Sequence, residues 1–194
     1  MDPVEICATI FGLACVWLTI KQNIWCWPTG IVMVSLYIYI FFNARLYSDM
    51  GLQVIYEFMQ IYGWYNWLYG GKDKTVLSIC RMKFPGAVFW AITGIVAILA
   101  TGFCMDRFTN ADFAYPDAAT TVMSLIAQWL MAKKILGSWL IWIAVDVLSI
   151  GIYSVKGLYL TAGLYSVFLC LAIMGYLGWK KEYQKFLSEK AKTT

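Results

Sequence analysis

The chain contains no histidine, and only 13% of its 194 residues are charged, against 61% that are hydrophobic. Histidine is the commonest side-chain metal ligand, and the six cysteines are scattered, mostly inside apolar runs, without a Cys-x-x-Cys spacing. The sequence therefore predicts no metal centre, no cofactor and no disulfide framework, and the cysteines are interpreted as small hydrophobic residues. So much apolar side chain exceeds what one soluble core can cover, so membrane lipid must be part of the solvent.

Seven apolar runs approach the roughly 20 residues that a helix needs to cross about 30 Å of hydrocarbon. The sequence therefore predicts an all-α integral membrane protein with seven transmembrane helices. The N-terminus lacks the basic stretch of a cleavable signal peptide, so the first run is predicted to belong to the mature protein. The seven runs extend from Val4 to Ile20, Ile24 to Phe42, Leu52 to Leu68, Phe84 to Phe103, Ala118 to Ala132, Ile135 to Val155 and Leu158 to Trp179.

The net charge of +4 is unevenly distributed. All but three of the 15 lysines and arginines fall at one end of the predicted bundle, and the exceptions are Arg45, Arg107 and Lys156. Because cytoplasmic loops carry the excess of positive charge, the C-terminus is predicted in the cytoplasm and the N-terminus outside. This pattern is typical of membrane topology and does not indicate a nucleic-acid partner.

The sequence repeats itself at an offset of 112 residues without gaps. A second three-helix unit in the same orientation requires an odd number of connecting spans, and the run from Phe84 to Phe103 supplies one. We predict a first three-helix repeat at 1–70, a linker helix with its loops at 71–115, a second repeat at 116–180 and a cytoplasmic tail at 181–194. Parallel repeats of this kind are an architecture of secondary transporters, which bind substrate near the midplane between the halves. The offset pairs Trp17 with Trp129, Lys21 with Lys133, Trp27 with Trp139, Gly63 with Gly175, and Trp67 with Trp179.

Two carboxylates, Glu57 and Asp146, fall in the interior of predicted spans, whereas Glu5 lies at the outer end of the first. A charged group at the bilayer centre costs about 2.5 to 3.5 kcal/mol on insertion scales, so each is a candidate functional residue. Asp146 is predicted near the midplane, and Glu57 in the outer third. Each acid lies on a polar and aromatic stripe with helical spacing, and the two stripes are predicted to line a substrate site. Their members are Trp139, Trp142, Asp146, Ser149 and Tyr153 on the sixth helix, and Gln53, Glu57, Gln60 and Trp64 on the third.

Two structural interpretations of these residues remain open. The polar groups can be interhelical hydrogen-bond partners, and the tryptophans can be anchors at the membrane interface. If the stripes do line a site, two carboxylates and several aromatic faces favour a flat cationic molecule. An anionic or phosphorylated substrate would meet repulsion and no basic partner.

Four motifs lie along the chain: Trp27-Pro28-x-Gly30, Phe41-Phe42-x-x-x-Leu46-Tyr47-x-Asp49-x-x-Leu52-Gln53, Tyr62-Gly63-Trp64-Tyr65-x-Trp67 and, on the sixth helix, Trp139-x-x-Trp142-x-x-x-Asp146. Through these motifs the chain resembles the Pnu vitamin transporters, bacterial carriers with a SWEET-like fold of three, one and three helices. The resemblance implies facilitated diffusion of a small-molecule vitamin, trapping by intracellular phosphorylation, homotrimers and a place in the bacterial inner membrane. In the nicotinamide riboside branch the last position of the sixth-helix motif is typically Asn, so Asp146 favours the thiamine branch, with nicotinamide riboside as the alternative substrate.

Two other function classes compete with a carrier. An intramembrane protease could use two acids as a catalytic dyad, but neither Tyr-Asp nor Gly-x-Gly-Asp surrounds Glu57 or Asp146. A binding subunit of an ATP-driven pump is the second rival, although the chain itself contains no Gly-x-x-x-x-Gly-Lys-Ser/Thr phosphate loop. We therefore expect a transporter and not an enzyme.

Overall fold

The computed structural model describes residues 3–109 and 113–192, with side chains as far as Glu189. It confirms the predicted fold class, because each of the seven apolar runs corresponds to one helix. A short 3-10 turn, Lys72–Lys74, follows the third helix. The helices are α1 (Pro3–Ile20), α2 (Cys26–Asn43), α3 (Tyr47–Tyr69), α4 (Phe84–Phe108), α5 (Ala114–Ala132), α6 (Ser138–Val155) and α7 (Tyr159–Lys192).

Within the described residues, α1, α2, α4, α6 and α7 are long and apolar enough to cross a membrane by length and composition alone. The remaining two helices, α3 and α5, are more polar, and they pack against each other across the boundary between the repeats. The polar residues of α3 and α5 therefore lie on helices that contact each other inside the bundle.

Five helix boundaries differ from the prediction by three residues or more, and two of them are the end of α4 at Phe108 and the start of α5 at Ala114. Helix α3 begins at Tyr47, five residues before the apolar run, so Glu57 lies near the middle of the helix and not in its outer third. Helix α6 begins at Ser138, because residues 133–137 form the turn after α5. Helix α7 continues to Lys192, so the predicted tail at 181–194 is helical as far as it is described. After Gly178 that segment contains no glycine or proline, and good helix formers such as Lys, Glu and Leu extend the helix beyond the apolar run.

Helices α1–α3 and α5–α7 form the two repeats, and α4 connects them. Helix α1 packs on α7, and α3 packs on α5. Equivalent residues adopt equivalent local structures: the ammonium of Lys21 lies 5.1 Å from the Trp17 ring centroid, and that of Lys133 lies 4.8 Å from the Trp129 centroid. The equivalence found in the sequence therefore extends to the turns that end α1 and α5.

Four tryptophans, Trp27, Trp67, Trp139 and Trp179, form a buried cluster at one end of the bundle, each at most 2% exposed. We call this end the lysine-rich end, since it carries the turns at 21–25, 70–83 and 133–137. Trp67 packs 5.3 Å from Trp27 and 5.8 Å from Trp179, and Trp139 packs 5.6 Å from Trp179, measured between ring centroids. The tryptophan cluster thus joins α2, α3, α6 and α7.

The segment between α3 and α4 closes over the tryptophan cluster. Its Cys80 pairs through the backbone with the turn after α5, where Cys80 N–H donates to the Lys134 carbonyl at 3.0 Å. The Lys134 ammonium donates to the Leu77 carbonyl at 2.9 Å and lies 4.4 Å from the Trp67 ring centroid. The lysine-rich end is therefore sealed by packed rings and by paired backbone.

Candidate functional site

A cavity of about 230 Å³ lies between the two repeats, directly above the tryptophan cluster. Six of the seven helices contribute to its wall, and α4 does not. Trp27 and Trp139 form its floor at the lysine-rich end. The remaining wall residues are Gly12, Cys15, Val16 and Thr19 of α1, Cys26 and Met33 of α2, Gln60 of α3, Gln128 and Met131 of α5, Trp142 and Asp146 of α6, and Tyr165, Phe168 and Ala172 of α7.

Asp146 is the acid in this wall. It is the ninth residue of the 18-residue α6, so it lies about 12 to 14 Å along the axis from each end of the helix. Its side chain is 4% exposed, and it forms no hydrogen bond or salt bridge with any residue whose side chain the structure describes. A buried carboxylate without a partner favours a ligand that brings positive charge or hydrogen-bond donors.

The two tryptophans of the sixth-helix stripe both reach the cavity. Trp139 is held by Gly175 of α7, where a Cβ atom would lie only 2.6 Å from the indole ring. Among the described residues, the buried N–H groups of Trp139 and of its repeat equivalent Trp27 have no hydrogen-bond acceptor. The site therefore offers aromatic faces, and the two indole N–H groups beside it are buried without an acceptor.

Gln60 brings an amide to the opposite wall. Its side chain is buried against Gly30 of α2, where a Cβ atom would lie 2.4 Å from the Gln60 Nε2 atom. Only glycine leaves room for the amide at this approach. The Gly30 of the Trp27-Pro28-x-Gly30 motif therefore has a direct steric role in shaping the cavity.

Sequence reasoning missed the contribution of α7. Tyr165 and Phe168 line the cavity, and Tyr165 stacks on Tyr153 of α6 with the ring centroids 5.3 Å apart. Tyr153 therefore contacts the wall through Tyr165, although it does not line the cavity itself. The repeat could have revealed a part of this wall, because the offset of 112 places Ala172 of α7 at the position of Gln60.

The structure does not bring four other predicted residues to the cavity. Ser149 is buried on α6 one turn beyond Asp146. Gln53 and Glu57 are half-buried on α3, further from the lysine-rich end than Gln60. The Ser35 hydroxyl donates to the Glu57 carboxylate at 3.4 Å, so Glu57 has a partner on the neighbouring α2.

Trp64 is 38% exposed and lies outside the wall, although its spacing from Gln60 placed it on the predicted stripe. The buried residues of α3 are Gln60, Gly63 and Trp67. Counted from Gln60, the buried residues lie at i+3 and i+7. Trp64, at i+4, therefore lies beside this buried face.

The two halves of the cavity are related by the repeat but differ in chemistry. At the offset of 112, Trp142 is equivalent to Gly30, and Asp146 is equivalent to Val34. The acid and the extra ring lie on the second repeat, and the amide of Gln60 lies on the first. A ligand can therefore bind with one edge toward the carboxylate and the other toward an amide.

The electrostatics of the wall restrict the ligand further. The described wall contains Asp146 and no lysine or arginine. No group of three or more potential metal ligands occurs among the described residues. The arrangement suits a small aromatic cation and offers no basic group to a phosphate.

Comparison with known proteins connects the chain with vitamin transporters. The profile of a family described as "Nicotinamide mononucleotide transporter" matches residues 2–181. The chain is 28% identical to "Nicotinamide riboside transporter PnuC" of Escherichia coli (strain K12), over 91% of this chain and 84% of the relative. It is 22% identical to "Riboflavin/roseoflavin transporter RibM" of Streptomyces davaonensis, over 90% of this chain and 83% of the relative.

The fold matches a solved structure, "Crystal structure of the Vitamin B3 transporter PnuC", with a TM-score of 0.74. The two chains are 23% identical, and the match covers 94% of this chain and 82% of the other. These comparisons confirm the predicted Pnu resemblance. They support the alternative branch better than the preferred thiamine branch, because several of the similar proteins are named PnuC.

Proposed function

This chain belongs to the nicotinamide mononucleotide transporter family, and we propose that it carries nicotinamide riboside across the membrane through the cavity between its repeats. The observation that carries the proposal is the unpaired Asp146 in a wall that also contains Trp139 and Trp142. Nicotinamide riboside has a permanently charged pyridinium ring and a hydroxylated sugar. The ring matches the carboxylate and the indole faces, and Gln60 can hydrogen-bond the polar edge.

The riboside fits this wall better than the mononucleotide from which the family takes its description. A phosphate monoester carries close to two negative charges at neutral pH, and proteins bind it with arginine, lysine or clustered backbone N–H groups. The described cavity wall supplies no basic side chain, and its Asp146 carboxylate would repel a phosphate. We therefore assign the unphosphorylated vitamin as the substrate.

Thiamine is the second candidate, and Asp146 is the observation that favours it. Its thiazolium ring is also permanently cationic, and its aminopyrimidine edge donates hydrogen bonds that a carboxylate accepts. The E. coli relative named for nicotinamide riboside supports the first candidate more directly. Riboflavin, for which another relative is named, is neutral and matches an unpaired acid least well.

The mode of transport follows from the resemblance to the Pnu carriers. We propose uniport down the substrate gradient, with phosphorylation inside the cell preventing return. We also propose homotrimers in the bacterial inner membrane, with the lysine-rich end in the cytoplasm in accordance with the positive-inside rule. In this scheme 1–70 and 116–180 are the two functional halves, 71–115 is the linker and 181–194 is the cytoplasmic extension.

Binding and uptake by purified protein test the proposal. We expect titration calorimetry to detect binding of nicotinamide riboside and weaker binding of thiamine. We expect it to detect no binding of nicotinamide mononucleotide. In liposomes without other subunits, uptake should equilibrate across the membrane and should not respond to imposed proton or sodium gradients. Accumulation driven by an ion gradient would exclude uniport, and uptake that required an added ATPase would identify the chain as a pump subunit.

A further inference from the structure

A second and larger cavity lies on the outside of the second repeat, away from the substrate site. Its volume is about 1060 Å³, and residues of α4, α5, α6 and α7 line it. Helix α4 packs closely on α5 only, so the space between α4 and the pair α6–α7 remains an open groove. We call it the α4 groove.

The wall of the α4 groove is apolar along most of its length. On α4 it presents the small residues Ala87, Ala91 and Gly94, which recur at i, i+4 and i+7 and so share one face. Phe84 is 81% exposed at one end of this face, and Ile98 lies near the other. These two residues are about 21 Å apart along the helix, which exceeds the roughly 15 Å of hydrocarbon in one leaflet.

Two cations lie at the lysine-rich end of the α4 groove. Arg81 precedes α4, Lys180 belongs to α7, and both line the groove. Both are exposed, and neither forms a salt bridge within the described part of the chain. Tyr183 and Gln184 lie beside them and add hydrogen-bonding groups.

We propose that the α4 groove binds an anionic phospholipid, with its phosphate between Arg81 and Lys180 and an acyl chain along the small residues of α4. The charge pattern supports this occupant: the cations lie only at the end where a headgroup would be, and the rest of the wall matches hydrocarbon. Basic pockets between membrane helices bind anionic headgroups by this combination of contacts. Arginine adds bidentate recognition of phosphate oxygens.

A second copy of the chain is the competing occupant, and the charges disfavour it. A copy placed in the groove would need carboxylates opposite Arg81 and Lys180, or it would leave two cations without partners at an interface. A zwitterionic lipid would supply the phosphate but would bring its own positive charge close to both residues. An anionic lipid satisfies the two cations without either conflict.

Native mass spectrometry of the purified full chain tests the proposal with two phospholipids, phosphatidylglycerol and phosphatidylcholine of identical acyl chains. We expect the wild type to retain phosphatidylglycerol preferentially. Because a basic residue near a membrane surface contributes roughly a fivefold preference for anionic lipid, Arg81→Gln with Lys180→Gln should reduce the preference by an order of magnitude or more. The matched control, Lys72→Gln with Lys185→Gln, removes the same charge at the same end from exposed residues outside the groove.

A steric variant separates the acyl-chain site from general membrane affinity. Ala91→Trp should fill the groove and reduce retention of both lipids, whereas Val96→Trp, on an exposed part of α4 outside the groove, should not. Size-exclusion chromatography and thermal melting establish that each variant is folded. Equal retention of the two lipids by the wild type, or an unchanged preference in the groove double variant, would overturn the proposal. So would a change of oligomeric state in Ala91→Trp with lipid retention intact, because a second copy would then occupy the groove.

Discussion

Trp67 and Trp179 are equivalent residues of the two repeats, and each donates its indole N–H to a carbonyl of the other repeat. Trp67 Nε1 lies 3.1 Å from the Met131 carbonyl oxygen, and Trp179 Nε1 lies 3.1 Å from that of Thr19. Met131 and Thr19 are themselves equivalent at the offset of 112. The exchange joins α3 to α5 and α7 to α1, so it fastens the two repeats together at the floor of the cavity.

Replacing either tryptophan by phenylalanine keeps a ring and removes the donor. A buried carbonyl is then left without its partner, and we expect Trp67→Phe and Trp179→Phe each to destabilise the protein by about 1 to 2 kcal/mol. For a chain of this length, that lowers the melting temperature in detergent by roughly 2 to 8 °C. Trp25→Phe, at a tryptophan on the surface, is the control and should leave the melting temperature nearly unchanged. Equal melting temperatures for all three variants would show that the exchanged bonds do not hold the repeats together.

Glycine at position 175 sets the place of the Trp139 ring. A methyl group there would lie 2.6 Å from the indole, so Gly175→Ala should displace the ring, destabilise the fold by about 1 to 3 kcal/mol and weaken substrate binding. Gly163→Ala on the same helix is the matched control, since no atom lies within 4 Å of its added methyl group. Because alanine is the better helix former, the control should stabilise slightly. The packing argument is wrong if the two variants melt and bind alike.

Tyr165 tests the part of the wall that the sequence did not reveal. Tyr165→Ala removes a ring that lines the cavity and supports Tyr153, and we expect substrate affinity to fall by about tenfold, the usual effect of losing one aromatic contact. Phe89→Ala, at an exposed ring on α4, is the control and should bind as the wild type does. Titration calorimetry compares the two variants, and unchanged affinity in Tyr165→Ala would show that the Tyr165 ring does not contact the substrate.

The sequence predicted the fold well because its signals are local and periodic. Apolar length located all seven helices, and the repeat established the parallel arrangement without any tertiary information. The stripe Trp139, Trp142 and Asp146 reached the cavity as predicted from helical spacing. One error in helix placement was the start of α3, where polar residues between Tyr47 and Gly51 concealed a helical turn from a prediction based on hydropathy.

The composition of the cavity wall was harder to predict, because it depends on how helices are rotated and where they diverge. Trp64 satisfied the same spacing as Gln60, yet the close contact of Gly63 with Trp27 turns the buried face of α3 away from it. Tyr165 carries no charge and lies in an apolar run, so neither composition nor hydropathy distinguished it. Its repeat equivalent, Gln53, lies outside the wall, so the repeat did not distinguish it either.

The orientation of the bundle can be tested by labelling single cysteines in a background without the native ones. We expect an impermeant thiol reagent to label Arg45→Cys in intact cells and to reach Lys185→Cys only after the membrane is opened, because the basic loops should face the cytoplasm. Both positions are exposed, so accessibility to the reagent depends on the side of the membrane. The reverse pattern would place the lysine-rich end outside the cell and would contradict the proposed orientation of the bundle.

The most direct test of the central claim is a calorimetric titration of nicotinamide riboside into the wild type, Asp146→Asn and Asp146→Ala, with thiamine titrated in parallel. We expect Asp146→Ala to abolish binding of both vitamins. Asp146→Asn keeps the shape and removes the charge, and a hydrogen bond to a charged group is worth about 1.5 to 3 kcal/mol, so thiamine affinity should fall by one to two decades and that of nicotinamide riboside by less. Glu57→Gln, an acid of the same bundle outside the cavity, should bind nearly as the wild type does. Wild-type affinity for nicotinamide riboside in a folded Asp146→Ala variant would contradict the account, because the acid would then be a packing residue and not part of the substrate site.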